Sequence, residues 1–134
     1  MHFIPDFHEY IERRHKQYKA LKPVFCKPLG EYVYFDSDGF RHLLFKTRHK
    51  VRPITEQKYK LDLVPGIRSA LTKATVILEQ RKSVHNDKEI RYWAVVGKWR
   101  NFIHLRVIIK RVGSGKLRFW SVMRQKAGNL KPRP

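Results

Sequence analysis

The stretch from residue 74 to 124 constrains this chain most, because it reads as four strands in a row. The runs 74–82, 89–98, 102–111 and 117–124 are rich in Val, Ile, Tyr, Trp and Phe, residue types that suit a pleated, half-buried surface. The breaks at 83–88, 99–101 and 112–116 are short and polar, which is hairpin spacing. Such a run folds as an antiparallel meander. In the third strand Ile103, Leu105, Val107 and Ile109 alternate with His104, Arg106 and Lys110, so one face is apolar and the other cationic. Tyr92 and Trp93 stand on opposite faces of the second strand. The last strand leaves a choice of register. A three-residue loop at 113–115 sets Trp120 opposite Ile108, whereas a two-residue loop, Ser114-Gly115, sets Ser121 there.

The first 73 residues read differently. Asp6 and Glu9 have capping-box spacing, and Phe7, Tyr10, Ile11, Tyr18 and Leu21 recur at helical intervals, which predicts a helix over 6–21. Pro23 and Pro28 mark a connector, and 31–35 a short strand. Asp36-Ser37-Asp38-Gly39 is a turn able to cap a helix over 40–47, on which His42 and Lys46 share a face. The turn has no Glu at the twelfth place of a calcium loop, where Thr47 stands. Residues 48–54 form a basic loop. Thr55 is placed to cap a helical segment with Tyr59, Leu61, Leu63, Ile67, Ala70 and Leu71 inward, divided in two by Pro65-Gly66. The expected architecture is α+β, with N-terminal helices packed on a four-stranded antiparallel sheet. One domain over 1–134 is expected, with 6–73 mainly helical, 74–124 the meander, and 125–134 a flexible basic tail.

Charge then narrows the function. Lys and Arg number 30 against 11 Asp and Glu, a formal net charge of +19, which fits nucleic acid, an acidic protein or an anionic surface. No run approaches the roughly 18 apolar residues of a membrane span, so no membrane partner is expected. The lone Cys26 suits a reducing, cytoplasmic setting and a buried small apolar role. Gly113-Ser114-Gly115 belongs to a hairpin and not to a phosphate-binding loop. The sparse carboxylates and scattered histidines give no metal-binding spacing, so neither a metal nor a cofactor is expected. What remains is a basic surface interleaved with aromatics and histidine. That composition binds RNA through phosphates and unpaired bases, and it suffices for RNA cleavage in which the ribose 2′-OH is the nucleophile. On this reading His104, Arg106 and Lys110 on the outer sheet face are RNA-binding candidates, and so is Trp120, which the three-residue loop would set on that face. Two alternatives stand beside it: a basic RNA- or DNA-binding module that does not cleave, and an interaction protein for an acidic partner or anionic lipid.

The order of features resembles the small RNase toxins of the barnase–EndoU–colicin–RelE superfamily, particularly those of phages and mobile elements. The resemblance lies in DGFRHLLFK with its internal His42, in RHKVRP, in YKLDLVPGIRSAL leading into the first long strand, and in LRFWSVM at the end. It covers about residues 31–124. It implies a metal-independent endoribonuclease toxin that cuts RNA by 2′-OH attack and leaves a 2′,3′-cyclic phosphate. It further implies His42 as general base or acid, Arg48 and Arg52 as phosphate ligands with Lys46 nearby, and Ser121 as the polar group of the last strand. Toxins of this kind are held by an acidic antitoxin or immunity protein and act in the cytoplasm, their own cell's or a target's.

Overall fold

The computed structural model describes residues 6–126. Four α-helices, α1 (Phe7–Lys19), α2 (Ser37–Leu44), α3 (Ile54–Asp62) and α4 (Ile67–Lys73), pack on a six-stranded sheet. Its strands are β1 (Val24–Cys26), β2 (Glu31–Tyr34), β5 (Val76–His85), β6 (Lys88–Arg100), β7 (Ile103–Val112) and β8 (Leu117–Gln125), and they lie in the order β1-β2-β8-β7-β6-β5. Two short strands, β3 (Phe45–Thr47) and β4 (Lys50–Val51), make a separate hairpin. The α+β class is as expected, but the four-stranded antiparallel sheet must be corrected. Only β5–β8 form the antiparallel meander. The segment between Pro23 and Pro28, expected as a connector, contributes β1, and β2 runs parallel to β8 with Val33 opposite Leu117. Parallel partners need a long crossover, and here α2 to β7 intervene. No local pattern announces such a pairing.

Turn chemistry sets the lengths of the long strands. Asn86 and Asp87 both have positive φ, 51° and 62°, and His85 pairs with Lys88. That is a two-residue turn of the twisted type that hairpins favour, so β5 and β6 run on through the predicted break. The β7–β8 hairpin starts in the three-residue register, with Lys110 opposite Arg118 and Ile109 opposite Phe119. A bulge then makes Trp120 the extra residue and puts Ser121 opposite Ile108. Each of the two registers open from sequence describes one part of β8.

The core lies between the sheet and the helices. Leu105, Val107, Ile109, Phe119 and Val122 meet Leu61, Val64, Ile67, Ala70 and Leu71 there, and Trp93 and the fully buried Cys26 join them. Helix α4 approaches β6 so closely that a Cβ on Gly97 would stand 1.8 Å from the Ala70 carbonyl oxygen. On the opposite, open face Leu78, Ala94 and Val96 form only a small apolar strip.

The helices differ from expectation in detail. Helix α2 starts at Ser37, where the Asp36 carboxylate accepts the Gly39 N–H at 3.0 Å, and it stops at Leu44, so 45–47 is strand and not helix. The basic stretch 48–54 holds β4 and the first residue of α3, whose N-cap is Pro53 and not Thr55. Asp6 stands at the N-cap of α1 without a side-chain cap bond. Tyr59, expected inward, is exposed. Pro65-Gly66 does divide the following segment, through a 3₁₀ turn at Val64–Gly66. Residues 127–134 of the predicted tail lie outside the described residues.

Candidate nucleic-acid interface

The site is built where α2 and the β3–β4 hairpin meet the bulge of β8. The cap at Asp36 and burial of Phe40 and Leu43 orient α2, and this lays the His42 imidazole on the Trp120 indole. The ring centroids are 4.2 Å apart at 24°. Lys110 on β7 sets its Nζ 3.9 Å from the centroid of the same indole. Trp120 stands on the same face as Arg118 and Lys110, and as the extra residue of the bulge it has no partner on β7. Between an imidazole and an ammonium, it holds other groups in place more than it offers a platform of its own.

Beside His42 opens a cleft of about 350 Å³ lined by Asp38, Arg41, Phe45, Lys46, Thr47, Arg48 and Trp120. Its charge is supplied chiefly by Arg41, Lys46 and Arg48. Arg41 lies over the Phe45 ring at 4.2 Å and donates to the Arg48 carbonyl at 3.0 Å. Lys46 is 3.7 Å from Glu56. The expectation that His42 and Lys46 share a helix face is wrong, because α2 ends between them. The hairpin brings them to one cleft by another route.

Arg52 is not free to bind phosphate. It is 8% exposed. Its Nε donates to the His42 carbonyl at 3.0 Å and its Nη1 to Glu56 at 2.6 Å, while its own carbonyl accepts from Gln57 Nε2. It ties the end of α2 to the start of α3 and lends positive charge from behind. Ser121 is likewise inside, 4% exposed, and its Oγ accepts from Lys60 Nζ at 3.0 Å.

Lys60 was missed by sequence reasoning, although a signal existed. It lies three residues after Gln57 and four before Val64, on the stripe that α3 buries. It is 6% exposed, and its ammonium also donates to the Val122 carbonyl at 3.0 Å. Beyond Arg118 strand β8 has no β2 partner, and two side chains of α3 reach that edge. Lys60 takes one carbonyl there, and the Tyr59 hydroxyl accepts the Arg124 N–H at 2.7 Å. The bland role of Lys60 is thus to satisfy a sheet edge.

Burial and charge act together on the titrating groups. Burial, then the Arg52 and Lys60 charges, push His42 down to about 4, against a backbone hydrogen bond with Trp120. Its Nδ1 is buried with no hydrogen-bond partner among the described residues. Burial, then Arg52, hold Lys60 down to about 8, against Glu56. At neutral pH the imidazole is therefore neutral, with cations around it.

His104 and Arg106 do not join this cluster. Six residues separate His104 from Lys110 on β7, roughly 20 Å of strand. Arg106 is ion-paired with Glu79 and close to Gln125. Among the described residues no three of His, Cys, Asp or Glu come together as a metal site, and no helix is long and apolar enough to cross a membrane. No protein-family model matches the chain, and neither a curated protein nor a solved structure matches it significantly.

Proposed function

We propose that this chain is a metal-independent endoribonuclease of the toxin kind, acting on RNA through the cleft beside His42. The observation that carries the reading is a neutral imidazole at the wall of a cleft whose other charges are mainly arginine and lysine. In the reaction the ribose 2′-oxygen forms a bond to the adjacent phosphorus while the bond to the 5′-oxygen breaks. His42 takes the 2′-OH proton, and the leaving 5′-oxygen takes one from a solvent water, giving a 2′,3′-cyclic phosphate and a free 5′-hydroxyl. Lys46, Arg41 and Arg48 offset the charge on the phosphorane, while burial, then the Arg52 and Lys60 charges, keep the imidazole unprotonated. An acidic antitoxin or immunity protein is the inhibitor that +19 calls for.

The test is purified protein with RNA in excess EDTA, with products analysed for the cyclic phosphate. Cleavage that vanishes with the chelator, or none at high protein concentration, would count against the proposal. A second reading, a basic module that binds RNA without cutting it, is favoured by the burial of Arg52 and Ser121, which removes two of the expected site residues from the cleft. Salt-sensitive binding that leaves the RNA intact would select it.

A further inference from the structure

The register of the sheet sets five residues directly opposite one another across the open face. Arg81 on β5 pairs with Tyr92 on β6, Tyr92 with Lys110 on β7, Lys110 with Arg118 on β8, and Arg118 with Tyr34 on β2. Cations and phenols interleave along this row, which crosses five strands and so about 19 Å. The contacts follow the register. Arg81 lies over the Tyr92 ring at 5.1 Å and Lys110 at 5.9 Å, while Lys116 covers Tyr34 at 4.3 Å. At the β1–β2 end the row runs into Phe25 and Tyr32, an edge-on pair with centroids 5.3 Å apart that is 44% and 54% exposed. Carboxylates border it too: Asp36 pairs with Arg118 at 3.0 Å, and Asp38 lies near Lys110.

We propose that this row is a binding track for unpaired RNA that leads the strand to the cleft. The inference rests on the nuclease reading for its choice of RNA, but its geometry is independent of His42. Cations spaced across a sheet would take phosphates of any nucleic acid, duplex included. Half-buried rings between them and the exposed Phe25 and Tyr32 beyond them add contacts only where base faces are open, and a duplex hides those faces. The row also meets the cleft, since Lys110 stands over the Trp120 ring on which His42 stacks.

The experiment measures fluorescence anisotropy of the full chain with a labelled 2′-O-methyl RNA of about ten nucleotides, single-stranded and as a duplex. These strands lack the attacking hydroxyl, so binding is read whether or not the protein cleaves. The single strand is expected to bind at least about tenfold tighter than the duplex. Tyr32→Ala, beyond the β2 end of the row, and Tyr92→Ala, within it near the β5 end, are each expected to weaken it roughly 5- to 150-fold, the range of one base–aromatic stack. Tyr92→Phe should restore binding, and Tyr92→Leu should not, with thermal melting checked for each variant. Duplex binding as tight as single-strand binding, polyglutamate binding as tightly as RNA, or full affinity in both alanine variants would overturn the track. Selective single-strand binding without cleavage of ordinary RNA leaves the track standing and removes the nuclease reading. Cleavage of ordinary RNA untouched by the tyrosine changes does the reverse.

Discussion

At the residue scale, two groups with displaced proton affinities decide what the cleft can do. His42→Ala removes the proposed base and little positive charge, so on the nuclease reading RNA cleavage should fall by at least ~10²-fold while affinity for RNA stays. Titration of the His42 ring protons by NMR should give a midpoint near 4. The sign of the linked stability follows. Between about 6.5 and 4 the unfolded chain binds a proton that the native His42 refuses, so the urea midpoint should drop as pH falls through that window, and less steeply in His42→Ala. For Lys60 the window lies between 10.5 and 8, where stability should rise with pH because only the unfolded state keeps that proton. Lys60→Met should abolish that rise. His42 was legible because a cap and a helical stretch of aromatic and apolar residues surround it. Lys60 was overlooked because a lysine on a helix is ordinarily read as solvent-facing, and only its place on the buried stripe says otherwise.

At the element scale, the site depends on where three elements stop. Helix α2 ends at Leu44, the β3–β4 hairpin turns Lys46 and Arg48 back to the cleft, and Trp120 at the β8 bulge meets His42. Helix α3 finishes the arrangement by reaching the free edge of β8 with two side chains. Tyr59→Phe deletes the acceptor for the Arg124 N–H and should cost about 0.5–1.5 kcal/mol in urea unfolding. Gly97→Ala is a sterner change. Its methyl cannot coexist with the Ala70 carbonyl at the present spacing, so α4 must lift from the sheet, at a cost of about 1–3 kcal/mol or more. The meander was readable because alternation and turn residues are local signals. The end of α2 was not, since Phe45 and Lys46 continue the helical pattern and only pairing of Phe45 with Val51 draws them into a strand.

At the scale of the whole molecule, charge and sheet work together. The 30 basic side chains against 11 acidic ones attract polyanions, and in the proposed function the cleft and the cross-strand row are where RNA lies. Binding of single-stranded RNA should weaken linearly in a log–log plot against salt. Arg81→Ala should reduce that slope by about 0.7, the share of one phosphate contact on a single strand. His104 and Arg106 looked equivalent to Lys110 from their shared strand face. Distance along β7 and the Glu79 partner set them apart.

The amino-acid order by itself determined the presence of helices in the first half, the antiparallel β5–β8 meander, the two-faced character of β7 and the strongly basic charge. Each of these follows from periodicity, turn residues or composition, which act over a few neighbours or over the whole count. Only the tertiary structure decided that β2 joins β8 in parallel, that Trp120 bulges to meet His42, and that Arg52, Lys60 and Ser121 turn inward. Those outcomes depend on which distant carbonyls and carboxylates are near enough to satisfy a buried charge or hydroxyl. That need exists only once the chain has closed around them.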